Sequence, residues 1–193
     1  MVRDREAAPD GTIVRILSSL QAFIVAAILA IALTVAGQTS LAPFVATPTD
    51  VVDRMLRLAA VTRRDTVYDL GSGDGRIVIA AAKTFGARGV GIEIDPVLVA
   101  QATANAQAAG VADRVSFRRE DAMAADVSGA SVVTLYLLSA SNVRLRPRLQ
   151  AQLRPGSRIV AHNFGMGDWE PEKVETFVDA VGTTRTLMLW RIR

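Results

Sequence analysis

The stretch Val67-Tyr68-Asp69-Leu70-Gly71-Ser72-Gly73-Asp74-Gly75-Arg76 constrains this chain more than any other part of it. An apolar run delivers a carboxylate, Asp69, and three glycines at alternate positions then lead into Ile77, Val78, Ala81, Ala82 and Phe85, which share one helical face before Gly86. Glycine accepts positive φ and lets a ligand approach bare backbone. A strand, a glycine turn and a helix in that order form the repeating unit of parallel α/β sheets.

The rest of the chain alternates in the same way. Thr47 can cap a helix over 48–61, with Pro48 in its first turn and Val51, Val52, Met55, Leu56 and Ala59 on one face. Strands are expected over 65–70, 88–94, 114–119, 131–138 and 157–163. Helices are expected over 76–85, 96–109 and 142–153, the last with Pro147 as a kink or late start. Two β-rich runs, 173–180 and 184–192, flank Gly182-Thr183 and read as a terminal antiparallel hairpin.

The glycine spacing is G-x-G-x-G. A dinucleotide site uses G-x-G-x-x-G and seats a pyrophosphate on the helix N-terminus. Asp69 and Asp74 would repel a pyrophosphate, and they suit a ligand carrying an ammonium and a sulfonium. Glu93 ends the second strand 22 residues after Gly71, where an acid accepts from both hydroxyls of a ribose. Arg119-Glu120-Asp121-Ala122-Met123 ends the third strand. There Asp121, preferred to Glu120, can accept from an adenine amino group, with Ala122 or Met123 against the ring. All three sites fall at the carboxyl ends of strands, where open α/β sheets bind ligands.

Composition excludes several chemistries. The chain has no cysteine, which removes disulfides, thiolate nucleophiles, cysteine zinc sites and iron–sulfur clusters. Its single histidine, His162, argues against a metal site, so no metal is expected, and His162 itself reads as structural. Lys plus Arg number 22 against 19 Asp plus Glu, a net charge of +3, so no nucleic-acid partner is expected.

Before the α/β part, residues 16–36 form a run of 21 uncharged residues. As a helix it spans about 31 Å, the thickness of a bilayer's hydrocarbon core. The domains expected are a tail over 1–15, a single transmembrane anchor over 16–36 contacting the bilayer, a linker over 37–47 and a catalytic domain over 48–193. A cleaved signal peptide ending at Thr34-Val35-Ala36 is the alternative. Arg3, Arg5 and Arg15 before the run favour a cytoplasmic N-terminus and an exported domain.

With its glycine loop, Glu93, Asp121 and Leu153-Arg154-Pro155-Gly156 before the fifth strand, the chain resembles the class I S-adenosylmethionine-dependent methyltransferases. The resemblance covers residues 44–193. It implies a Rossmann-like, mostly parallel seven-stranded sheet with the last strand antiparallel. It also implies S-adenosyl-L-methionine as cofactor, held by Asp69, Gly71, Ser72, Gly73, Asp74 and Gly75 at the methionine, Glu93 at the ribose, and Asp121 with Ala122 at the adenine. Phe44-Val45-Ala46-Thr47-Pro48, the loop into Arg76-Ile77-Val78, and Gly91-Ile92-Glu93 resemble, more narrowly, the mitochondrial inner-membrane lysine methyltransferases of the ATP synthase c subunit and the adenine nucleotide translocase. In those enzymes the segment before the domain contributes to the cofactor site, which brings in Thr47. A cofactor made in the cytoplasm places the domain on the cytoplasmic side (the matrix side in a mitochondrion), against the arginine count.

Thr134-Leu135-Tyr136-Leu137-Leu138 lacks the Asn/Asp-Pro-Pro-aromatic motif of adenine and glutamine amide methyltransferases, and cytosine C5 chemistry needs a cysteine. A lysine amine, another amine or a small hydroxyl remains. Tyr136 and Asn163, with Trp169, are the expected lining of the acceptor slot. The leading expectation is methylation of a lysine on a membrane-associated protein. A small-molecule methyltransferase and a non-catalytic, cofactor-binding membrane adaptor are the alternatives. Arg144 and Arg148, four apart, read as a solvated helix face or a contact for an acidic partner or lipid headgroups.

Overall fold

The structure is a computed structural model that describes residues 45–193. In chain order it contains α1 (Thr49–Leu58), β1 (Thr66–Leu70), α2 (Arg76–Phe85), β2 (Arg88–Glu93), α3 (Pro96–Ala108), β3 (Val115–Arg119), β4 (Val132–Leu135), α4 (Ser139–Gln152), β5 (Arg158–His162), β6 (Lys173–Val178) and β7 (Thr184–Arg191).

The seven strands make one sheet in the order β3-β2-β1-β4-β5-β7-β6. Strands β1 to β5 pair in parallel, while β7 is antiparallel to both β5 and β6. The expected seven-stranded sheet with its terminal hairpin is what the chain forms. The strand order reverses between β1 and β4, which opens a crevice at their carboxyl ends.

Period-two alternation gives each face of the sheet its own core. Val67, Val132, Val160, Leu187 and Leu189 pack against Val51, Met55 and Leu56 of α1 and against Ile77, Val78 and Ala81 of α2. On the opposite face Leu70, Ile92, Leu135, Ile159 and Trp190 pack against Leu145 and Leu149 of α4. Residues 120–131 cover part of that face without a helix, through Ala122, Ala125, Val127 and Ala130.

Local chemistry explains the element ends. Asp95 caps α3 by accepting from the Val97 N–H, and Pro96 starts the helix. Gly86 ends α2 at φ 68°, a left-handed cap that spares glycine the Cβ clash. Helix α1 starts at Thr49 with Pro48 as its cap residue, so Thr47 lies one position too early to cap it. Helix α4 starts at Ser139, three residues before the expected start, and carries Pro147 inside it.

The expected single-pass membrane placement is corrected. Among the described residues no helix is long and apolar enough to cross a membrane. The tail, the anchor over 16–36 and most of the linker lie outside the described residues, and no membrane location, orientation or bilayer contact is assigned to the chain.

Candidate active site

The carboxyl ends of β1, β2 and β4 bring the chemistry together. Asp69 stands opposite Gly91 on one side and Thr134 on the other. Asp69 is 3% exposed, and the Thr134 hydroxyl donates to its Oδ1 at 2.7 Å. Burial pushes the Asp69 pKa up to about 7; the Thr134 hydrogen bond opposes this, and the charges of Glu93 and Asp74 add to it. A buried carboxylate with so little compensation is costly in the free protein.

The glycine loop wraps over this acid. Gly71, Gly73 and Gly75 all have positive φ, at 78°, 52° and 81°. A Cβ on Gly75 would stand 2.6 Å from Phe117, so both conformation and space demand glycine there. Ser72 is buried, and its hydroxyl has no protein hydrogen-bond partner among the described residues. Glu93 is tied back into the loop. It accepts from the Gly73 N–H at 2.9 Å through Oε2, and from the N–H groups of Ile94 and Asp95 through Oε1.

Asp74 does something the sequence did not suggest. Arg76 forks onto both of its oxygens, with Nε at 2.9 and 3.2 Å and Nη2 at 2.6 Å. Burial pushes the Asp74 carboxyl up, but Arg76 outweighs it and holds the group below the usual carboxylate range. The other end of the Arg76 fork donates to the Thr47 carbonyl at 2.9 Å, and Asn105 donates to the Asp74 carbonyl. Arg76 therefore staples the buried Thr47 segment to the glycine loop, and of the two acids Asp69 is the one free to meet a cation. At the end of β3, Asp121 is half-buried and accepts from the Met123 N–H at 2.8 Å, with Ala122 buried beside it.

Comparison with known proteins decides the class. The family described as "ANTKMT methyltransferase domain" matches residues 69–173. A protein-lysine N-methyltransferase of Saccharolobus islandicus is 45% identical over 133 residues, covering 68% of this chain and 83% of that protein. The chain belongs to this methyltransferase family. Its cofactor is S-adenosylmethionine. The Xenopus laevis lysine N-methyltransferase named for the ATP synthase c subunit is 33% identical over 151 residues, covering 78% of this chain and 65% of that protein, so the chain spans just under two thirds of that relative. A solved structure described as an RNA methyltransferase from Salinibacter ruber, in complex with S-adenosyl-L-homocysteine, is 58% identical with TM-score 0.72, covering 77% of this chain and 94% of that one.

The methyltransferase site has features that fit this cofactor. A buried carboxylate with a single hydroxyl donor matches an α-ammonium, the orphaned Ser72 hydroxyl offers a polar contact, and positive-φ glycines leave backbone bare for the methionine part.

On the acceptor side, Tyr136 is half-buried just past β4, with its ring stacked on His162 at 4.0 Å and 26° and lying 6.1 Å from the Phe164 ring. Asn163, at φ 61°, is exposed; its side-chain oxygen accepts from the Thr186 N–H, which engages it with β7. Trp169 contacts Trp190 and the Arg146 guanidinium. Arg148 donates to the carbonyls of Ala124 and Ala125, so it pins the loop after Asp121, while Arg144 is exposed. Asn142, fully buried on α4, donates to the carbonyls of Leu137 and Phe164 and holds those two loops together. Among the described residues no group of His, Asp and Glu is placed to hold a metal ion.

Three of these residues escaped the sequence reading. Thr134 is a lone hydroxyl in the otherwise apolar run Val132–Leu135, and that anomaly was the available signal. Arg76 was visible only as the end of the glycine motif, because its partners lie two and 29 residues away. Asn142 stands in a helix whose start lies upstream of the expected one, so nothing marked it as buried.

Proposed function

We propose that this methyltransferase acts on the ε-amine of a protein lysine. Relatives named for lysine methylation support this reading, among them the archaeal protein-lysine enzyme at 45% identity and the vertebrate enzymes named for the ATP synthase c subunit and the adenine nucleotide translocase. The last two names favour, within the same proposal, a lysine on a membrane-associated protein. The observation that carries it is the aromatic stack at the ends of β4 and β5, beside the proposed cofactor cradle and built of His162, Tyr136 and Phe164.

In this reading Asp69 takes the cofactor's ammonium, Glu93 its ribose, Asp121 and Ala122 its adenine, and the glycines with Ser72 its methionine backbone. Thr47 and Asp74, joined through Arg76, close the loop over it. The cofactor supplies an electrophilic methyl on a sulfonium. The protein's task is alignment and exclusion of water. A lysine ammonium, with a pKa near ~10.4 in water, loses its proton before attack, and apolar surroundings favour that loss. The Tyr136 and Phe164 rings supply such surroundings for the lysine stem, and Asn163 stands at the rim. The nitrogen–carbon bond forms as the carbon–sulfur bond breaks, with the electron pair staying on sulfur.

A second reading, methylation of RNA, is favoured by the 58% identical structure from Salinibacter ruber, which is described as an RNA methyltransferase. Incubation of the full chain with methyl-tritiated cofactor and a cell extract separates the two. Lysine methylation puts the label in protease-sensitive, nuclease-resistant material that yields methyl-lysine on acid hydrolysis. Label that is lost to ribonuclease instead overturns it.

A further inference from the structure

His162 closes β5 and is fully buried, yet neither of its ring nitrogens has a protein hydrogen-bond partner among the described residues. A neutral imidazole has one donor and one acceptor nitrogen. Burying both unmet costs stability that a phenyl ring at the same place would not. Placement makes that cost informative. His162 shares a sheet face with Thr134 and Val160: the register pairs Thr134 with Val160, and Tyr136 and His162 are the next residues on that face. It therefore lies about two strand spacings, or ~10 Å, across the sheet from Asp69 and one row nearer the carboxyl edge. The ring stacked on it is Tyr136, which is half-exposed.

We propose that His162 is the polar end of the acceptor slot, accepting a hydrogen bond from the neutral amine and thereby aiming the nitrogen lone pair at the methyl group. This rests on the amine-acceptor reading above. Burial pulls the His162 pKa down to about 4; the charge of Arg185 adds to this and that of Asp179 opposes it. The ring is thus neutral at pH 7 and serves as a hydrogen-bond acceptor, not as a store for a proton. The proton lost by the ammonium leaves to water, and the amine keeps an N–H to donate. Tyr136 covers the imidazole in the free protein and turns aside, or slides along the stack, as the amine enters.

His162 is the only histidine in the chain, so its nitrogens can be observed alone. The full chain, with ¹⁵N-histidine and saturated with S-adenosylhomocysteine, is titrated with n-butylamine near pH 9.5. The acceptor nitrogen is expected to shift saturably, and only with S-adenosylhomocysteine present. An unmoved resonance, as a nitrogen satisfied by buried water alone would give, overturns the proposal. The variant His162→Phe keeps a stacked ring and removes both nitrogens. It is expected to melt no lower than the wild type and to bind S-adenosylhomocysteine within twofold. Its methyl transfer is expected to fall by about 100-fold, the scale of one lost transition-state hydrogen bond. Transfer within threefold of the wild type in a folded His162→Phe protein overturns the proposal. A responding His162 in a protein that forms no methyl-lysine supports the amine slot and removes only the lysine reading.

Discussion

The Thr134 hydroxyl reaches across from β4 to Asp69 on β1 at 2.7 Å, at the point where the strand order of the sheet reverses. This bond ties the acid at the end of the first strand to the strand that leads to Tyr136. It also leaves the Asp69 carboxylate short of the partners that full burial demands. Burial of this carboxylate thus destabilises the free protein, and in the proposed reading the cofactor's ammonium relieves it, the usual exchange of stability for function.

That exchange is measurable as stability. The folded pKa of Asp69, about 7, lies above its value near ~3.9 in the unfolded chain. The native protein then binds more protons than the unfolded one between those values. Stability from this group is full below ~3.9 and is lost as pH rises through about 7. Asp69→Asn lacks the titration and keeps an acceptor for Thr134. Its melting temperature without ligand is expected to exceed that of the wild type by several degrees at pH 8, and by much less at pH 5. Equal differences at both pH values in calorimetric melts would contradict the burial argument.

Cofactor binding should titrate with the same group. Only the ionised Asp69 attracts an ammonium, so the Kd for S-adenosylhomocysteine is expected to be flat above about pH 7.5. Well below pH 7 it should rise about tenfold per unit, the slope of one proton. A Kd that is constant from pH 5.5 to 8.5 would show that this carboxyl does not gate binding.

Arg76 is expected to be needed for affinity without touching the cofactor. Arg76→Ala releases both the Thr47 carbonyl and Asp74, and should weaken S-adenosylhomocysteine by roughly tenfold or more, the effect of one lost charge-assisted bond. Arg76→Lys should recover little of this, since an ammonium cannot fork onto a carboxylate and reach a carbonyl together. Full recovery by lysine would mean that charge alone matters there.

Two glycine substitutions separate crowding from backbone strain. A Cβ on Gly91 would stand 2.5 Å from Phe117 and 2.6 Å from Ser72 Oγ, so Gly91→Ala should cost about 1–3 kcal/mol and disturb the loop. Gly110, at φ 72°, has nothing within 4 Å of the same atom, so Gly110→Ala should cost only the ~1 kcal/mol of left-handed strain and leave cofactor affinity alone. Denaturant melts with binding titrations read both.

The sheet was legible because its signals are local. Short apolar and β-rich runs marked the strands, and Gly86, Asp95-Pro96 and Gly182 marked the breaks. Asp69, the glycine loop and Glu93 were legible for the same reason, since the chain itself delivers them to one end of the sheet. The Thr134–Asp69 bond spans 65 residues and the His162–Tyr136 stack joins two strands, so pattern within a window shows neither. The pairing of Asp74 is the instructive miss. The acid was correctly placed beside the loop, but its charge is spent on Arg76 two residues away.

The most direct test of the proposed site is calorimetric titration of S-adenosylhomocysteine into the wild type, Asp69→Asn and Glu93→Ala at pH 8. The account predicts binding to the wild type, and Kd values raised by at least about 100-fold in Asp69→Asn and tenfold in Glu93→Ala, both still folded. Wild-type affinity retained within threefold by a folded Asp69→Asn protein would contradict it.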